Sequence, residues 1–224
     1  MNILERQSTE SARAYAYRVL LYNIISLEFQ PGEAINEKDI AADLGVSRTP
    51  VREALMELVK NGLVNIIPQK GSYISKIDFN IIEESRFLRL TIELAVLKLA
   101  CDNISDDYVF QLKKNIMHQE LMLTTDDVAI LINIDNEFHK LFFEAVNKQW
   151  SYRVISSQMF YFDRYRYLIQ KTLNRNTVVL DHKQILDAVI NHDYDTAKDI
   201  ISKHLGNNPR ERETITKLYP DYFI

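Results

Sequence analysis

The sequence predicts a mainly α-helical protein: an N-terminal winged helix-turn-helix with a small β-hairpin wing, followed by a C-terminal antiparallel helical bundle. Three observations carry this reading. The 224 residues include only five glycines and five prolines, too few for an all-β chain with many tight turns. The glycines are concentrated early, and beyond residue 78 only Gly206 remains. From there on, apolar residues recur at spacings of three and four in one segment after another, as amphipathic helices require. The expected division is 1–77 and 78–224.

Composition narrows the function classes. A chain that is 46% hydrophobic and 26% charged is an ordinary globular protein. The single cysteine, Cys101, excludes an internal disulfide and suits a reducing compartment. The N-terminus lacks a basic start followed by an apolar run, so no signal peptide is expected. The apolar runs fall short of a membrane span, so a cytoplasmic location without a membrane partner is expected. The net charge of −4 is unevenly spread. Residues 1–77 are neutral, and the remainder carries the whole excess. Within 46–76, Arg48, Arg52, Lys60, Lys70 and Lys76 face only Glu53 and Glu57. That local positive balance is a weak footprint for a polyanion.

The N-terminal elements follow in order. Ala16, Val19, Leu20 and Ile24 fall on one face of a helix over 12–25, which Pro31-Gly32 closes off. Asn36 caps a short helix from Glu37 to Leu44 with acidic residues in its first turn. Gly45 suits its left-handed end, and Val46 in the turn can plug the core. Ser47 or Thr49 caps the next helix, and Pro50 sits in its first turn, where a missing N–H costs little. Val51, Ala54, Leu55 and Leu58 form its inner face, and Asn61-Gly62 ends it. "LVNII", "PQKG" and "SYISKI" then read as strand, turn and returning strand. In such a winged helix the second helix enters the major groove. Arg48, Thr49 and Arg52 lie at its exposed N-terminal end, where arginine can pair with guanine or phosphate. Lys38 opens the preceding helix. Lys70 and Gly71 sit at the wing tip, where glycine allows close approach.

These residues carry a resemblance. "INEKDIAADLGVSRTPVREALMELVKNGLVNIIPQKGSYIS" resembles the DNA-binding domain of the GntR family of bacterial transcription regulators. The resemblance implies operator contacts by Lys38, Arg48, Arg52 and Gly71, with Thr49 contributing. Lys38 stands where arginine is common, which exchanges a bidentate contact for a point charge.

The second part reads as six antiparallel helices with short loops. They are "FNIIEESRFLRLTIELAVLKLACDN", "SDDYVFQLKKNIMHQELML" after a Ser105 cap, "DDVAILINIDNEFHKLFFEAV", Tyr152 to Leu173, "DHKQILDAVINHD" and "YDTAKDIISKHLGNN". One feature conflicts with simple amphipathicity. Leu131, Ile134, Phe138 and Phe142 define a buried stripe, and Asp135 and His139 share it. His182 lies on a stripe with Ile185, Leu186 and Val189, and His204 on one with Ala197, Ile200 and Ile201. His192 reads as loop, and His118 lies on a mostly polar face. A single inward histidine is most simply a hydrogen-bonded core residue. Four inward ligand-type groups are costly to bury unpaired. A divalent ion would satisfy them with imidazole nitrogens and one carboxylate.

Residues 78–205 resemble the FCD effector domain of the FadR branch of that family. Its metal-binding members carry Asp-x3-His, a later histidine opening a helix, and a histidine in the last helix. Asp135, His139, His182 and His204 match all four. "FLRLTIELAVLKLA" matches the first helix, with Arg89 and Glu93 on the usual Arg-x3-Glu. Members that take fatty acyl thioesters lack these ligands, which argues against that ligand class here.

The resemblance implies a homodimeric, effector-responsive regulator of operator double-stranded DNA, with repression as the commoner behaviour. The cofactor expected is a divalent transition metal, zinc first, with nickel or manganese also compatible. Two open octahedral positions suit a small carboxylate or hydroxy acid, its charge paired by Arg89. Arg89 could equally form an i, i+4 ion pair with Glu93. Arg164 and Arg166 are weaker alternatives. Three rivals stand beside this reading. The metal could be purely structural, or the histidines could bind the effector without metal. A metal-dependent hydrolase would need a general base. Glu137 points away from Asp135, so enzymatic activity is not expected.

Overall fold

The computed structural model describes residues 1–172, 175–206 and 208–224. It is mainly helical, and the chain forms two compact units, Met1–Phe79 with Thr216–Ile224, and Asn80–Ile215.

In the first unit, α1 (Ala12–Ile25) is capped by Ser11, whose side chain accepts from the Ala14 N–H. Ala16, Val19, Leu20 and Ile24 are completely buried, as their spacing predicts. Helix α2 (Glu37–Asp43) opens at Asn36, whose Oδ1 accepts the Lys38 N–H at 2.9 Å. At its end, Val46 N donates to Ala41 O and Gly45 N to Ala42 O. This is a Schellman closure, and it puts Gly45 at φ +63°. Helix α3 (Arg48–Lys60) buries Val51, Ala54, Leu55 and Leu58. Ser47 is its N-cap residue by backbone conformation, without a side-chain capping bond.

The wing is larger than the expected hairpin. Strand β1 (Ala34–Ile35) joins β2 (Val64–Ile67) and β3 (Gly71–Ile74) in an antiparallel sheet of order β1-β3-β2. Val64 pairs with Ile74 and Ile67 with Gly71, while Ala34 pairs with Tyr73. Gly71 at φ +119° starts β3, a conformation that side chains rarely adopt. The last residues group with this unit and not with the bundle. Ile77 and Phe223 form a parallel bridge, and the Phe79 and Phe223 rings stack at 4.7 Å.

The helices of the bundle are α4 (Phe79–Asp102), α5 (Asp106–Met122), α6 (Val128–Ala145), α7 (Gln149–Ser156), α8 (Phe160–Thr172), α9 (Asn176–Ile190), α10 (Tyr194–His204) and α11 (Pro209–Leu218), of which Phe79 and Thr216–Leu218 belong to the first unit. The core of the bundle joins α4 through Val96 and Leu97, α5 through Leu112 and Ile116, and α6 through Phe138 and Phe142. Ile185 and Val189 of α9 and Ile201 of α10 complete it.

Two features depart from the six expected helices. The segment expected as one helix from Tyr152 to Leu173 is two, broken between Ser156 and Phe160, and Leu173 lies outside the described residues. Ser156 and Ser157 donate their hydroxyls back to the carbonyls of Arg153 and Val154; Arg153 O still accepts the Ser157 N–H, while the N–H groups of Gln158 and Met159 turn to Ile155 O and Ser156 O, three residues back, and the α-helical ladder ends. Helix α11 was not expected. Asn208 accepts the Arg210 N–H at 3.1 Å ahead of it, and Pro209 is its first residue. His192 occupies a left-handed position, φ +57°, just after α9, consistent with its reading as loop.

Gly45 gives a direct test of the turn that aims α3. A Cβ there would meet nothing within 4 Å, so substitution is opposed by backbone conformation alone. Gly45→Ala should destabilise the first unit by about 1 kcal/mol in urea denaturation, and Gly45→Asn by less, because asparagine tolerates the left-handed region better. Equal losses for both would mean that the space around Gly45 matters more than its φ.

Candidate metal centre and nucleic-acid interface

Side chains at the start of α3 sit against helical preference. Arg48 is its first residue, Thr49 its second, and no acidic residue occupies the first turn. A cation at a helix N-terminus opposes the macrodipole. Helix α2, by contrast, has Glu37 and Asp39 at its start. Arg48, Thr49 and Arg52 are exposed, as are Lys38 on α2 and Lys70 and Gly71 in the wing. Among the described residues no ion pair engages Lys38, Arg48, Arg52 or Lys70. Other cations of this unit are committed: Arg13 to Glu57 and Arg18 to Glu10, each at 2.7 Å. The structure therefore presents an uncommitted basic edge at the end of a solvent-facing helix and at a wing tip. That is the arrangement needed for contacts to phosphates and base edges.

In the bundle, Asp135 and His139 come from α6, His182 from α9 and His204 from the last position of α10. One ligand atom from each lies within 4.8 Å of every other. His182 Nε2 is 3.5 Å from Asp135 Oδ1, and His139 Nε2 is 3.9 Å from Asp135 Oδ2. His182 stands in the middle of α9, where the resemblance implied a helix-opening position.

Each histidine is oriented from behind through Nδ1. His139 Nδ1 meets Glu93 Oε2 of α4 at 2.6 Å, and His182 Nδ1 meets Gln119 Oε1 of α5 at 2.7 Å. His204 Nδ1 meets Asp181 Oδ2 of α9 at 3.3 Å. These acceptors place the proton on Nδ1 and leave each Nε2 lone pair facing the others. Two consequences test whether a cation fits. His139 Nε2 is buried without a hydrogen-bond partner. His182 Nε2 and His204 Nε2 lie 3.2 Å apart with no proton to share between them. Both defects are resolved by a cation at the point where the lone pairs converge.

Electrostatics favours the ligand forms. Burial lowers the pKa of His182 well below the ordinary value, helped by the neighbouring His204 and opposed by Asp135. Burial also lowers that of His139, despite Glu93. Both rings are therefore neutral near pH 7, as metal ligation requires. For Asp135, burial works to raise the pKa, but the Arg166 guanidinium against it is the largest of the charges that outweigh burial and keep the group a carboxylate.

A cavity of 390 Å³ adjoins the cluster, with Arg89, Asp135, Arg166 and His204 in its wall. Arg89 Nε donates to Glu93 Oε1 at 2.5 Å, so the intrahelical ion pair forms even though Arg89 also faces the cavity. Arg166 is no solvated surface group. It is buried, bonds Asp135 through Nη2, and holds Asn136 and Asp163 through Nη1 at 2.8 Å each. Arg164 is fully buried as well. The sequence reading undervalued Arg166 and did not identify Gln119 or Asp181. One polar residue among several on a helix has no spacing signature that marks it as the partner of a ligand.

Residues 13–74 match the gntR family of bacterial regulatory proteins, and residues 84–207 match the FCD domain. The HTH-type transcriptional repressor RspR of Escherichia coli strain K12 is 29% identical over 96% of this chain and 95% of its own length. The Nta operon transcriptional regulator of Aminobacter aminovorans is 32% identical over 51% of this chain and 54% of its own. Among solved structures, McbR/YncC of E. coli has a TM-score of 0.73 at 19% identity, covering 96% of this chain and 100% of that one. A GntR regulator from Rhodococcus sp. RHA1 has a TM-score of 0.68 at 20% identity, covering 95% and 100%. These two show the shared fold. The matched families and relatives are transcriptional regulators and not enzymes, which removes the support for a hydrolase. Among the described residues no helix is long and apolar enough to cross a membrane. With a winged helix-turn-helix ahead of an FCD domain, this chain belongs to the GntR family of DNA-binding bacterial transcriptional regulators.

Proposed function

We propose that this protein is an effector-responsive repressor that acts as a cytoplasmic homodimer on operator DNA, with a divalent transition metal, zinc first, on Asp135, His139, His182 and His204. The observation that supports the metal most directly is the convergence of three Nε2 atoms, each oriented by its own acceptor, on a carboxylate, with His139 Nε2 otherwise unpartnered. Nickel or manganese also suits this mixed nitrogen and oxygen set.

When bound, the ion supplies a Lewis-acidic anchor for an oxygen of a small carboxylate or hydroxy acid. Arg89 and Arg166, both in the cavity wall, supply the fixed positive charge that pairs with such an anion. Glu93 holds Arg89 and His139 together, so the anion-pairing cation and one ligand share a support. The RspR relative is named a transcriptional repressor, which supports repression as the mode of action. Support for a second copy comes from α5, where Phe110, Met117 and Leu121 form one exposed apolar strip, 67, 62 and 74% accessible. A dimer sets two α3 helices against two half-sites of a pseudo-palindrome.

Lys38, Arg48, Thr49, Arg52, Lys70 and Gly71 are the proposed DNA contacts. On a duplex selected from a random library, Arg52→Ala should weaken binding by about 1–3 kcal/mol and relax base preference. Lys70→Ala should weaken all sequences alike and reduce the salt slope by about one. Unchanged binding in both variants would remove α3 and the wing tip from the interface.

Elemental analysis of tag-free protein tests the centre. About one transition metal per chain is expected, lost in the His139→Ala/His182→Ala variant while the bundle keeps its helical content. Full metal in that variant would place the ion elsewhere. With the metal loaded, a panel of chelating carboxylates and hydroxy acids should contain one that changes operator affinity by roughly 5–150-fold. If none of the panel does so while the metal is retained, the ion is structural.

A further inference from the structure

The chain passes from the first unit into the bundle inside α4 and returns inside α11, so two covalent connections join the units. The second one starts at the proposed metal and effector site. Asn208 and Glu211, in and ahead of the first turn of α11, line the same cavity as His204, Leu205 and Arg166. Arg86 of α4 fastens this corner by donating from Nε to Leu205 O at 2.8 Å. Gly206 lies close against the end of α10, where a Cβ would be 2.6 Å from the backbone oxygen of Ser202. Further along α11, Ile215 is completely buried.

The far end of this connection is bonded to the first one. Ile77 N donates to Tyr222 O at 2.8 Å, and Ile224 N donates to Ile77 O at 3.1 Å. The Phe223 ring stacks on Phe79 with an interplanar angle of 8°. Ile77 lies between β3, the inner strand of the wing sheet, and α4, and it is almost fully buried.

We propose that α11 and the terminal residues Tyr219–Ile224 form a strap that reports the state of the bundle cavity to the segment joining the wing to α4. The proposal rests on the reading of His204 as a metal ligand. Fixing His204 at the end of α10, and filling the space beside Asn208 and Glu211, restrains the start of α11. A helix carries such a restraint along its axis with little loss, and the strap passes it to Ile77 through two backbone hydrogen bonds and a ring stack. By linkage the coupling runs both ways, so loosening the strap must weaken metal binding by the same factor.

Hydrogen exchange on the full chain, with and without zinc as the only added ligand, tests this. The amides of Ile77 and Ile224 are the reporters, because each donates one of the strap bonds. Zinc should slow their exchange roughly 3–10-fold in the native protein. In Phe223→Ala, and in a chain ending at Leu218, Ile77 should exchange quickly with or without zinc. Both variants should still bind about one zinc per chain, with affinity weakened by a factor matching the lost protection. Zinc bound at one per chain with no change at Ile77 and Ile224 would overturn the strap and leave the metal centre standing. A native chain that takes up no zinc or other divalent metal would overturn the metal reading, and the strap with it.

Discussion

The bundle depends on keeping a carboxylate charged inside an apolar core. Asp135 sits on the buried face of α6 between Ile134 and Phe138, where an unpaired charge would be prohibitive. Arg166 reaches it from α8, His182 from α9 and His139 from its own helix. Each of these groups is itself buried and needs a partner. Asp163 and Asn136 hold Arg166, Glu93 holds Arg89 and the Nδ1 of His139, and Gln119 holds the Nδ1 of His182. The requirement spreads outward until every helix from α4 to α10 except α7 contributes a member. Helix packing and site chemistry are thus one problem.

Much of this was legible in the residues. The periodicity of α1, the Asn36 cap, the glycine at the α2–α3 turn and the valine-led face of α3 each carry local signals strong enough to stand alone. The four convergent residues were legible because polar groups on an apolar stripe break an otherwise regular pattern. Other features had no such signal. Strand β1 is two residues long, and its pairing is decided by β3, not by its own sequence. The break between α7 and α8 is a change from four-residue to three-residue backbone bonds at Gln158 and Met159, which apolar spacing cannot anticipate. Helix α11 begins at Pro209 after the Asn208 cap, but with Ile215 and Leu218 as its only apolar residues besides Pro209 it offers little periodicity to read. The supporting side chains Gln119 and Asp181 matter only because of what faces them from another helix.

The division of labour within α3 has a bearing on how such proteins diversify. Val51, Ala54, Leu55 and Leu58 are buried, while Arg48, Thr49 and Arg52 lie in solvent and take no part in the core or in any ion pair among the described residues. On the proposed reading of α3 as the DNA-contacting helix, stability and recognition fall on opposite faces of one helix. Exchanges among the outward positions fall in the class of surface changes that shift folding free energy by only about 0.5 kcal/mol. The first unit can change the DNA sequence it reads without having to refold around each new preference. The bundle would have no such freedom, because the residues proposed to hold its ligand are also part of its core. Duplicated copies of this gene would be expected to acquire new operators readily and new effectors slowly.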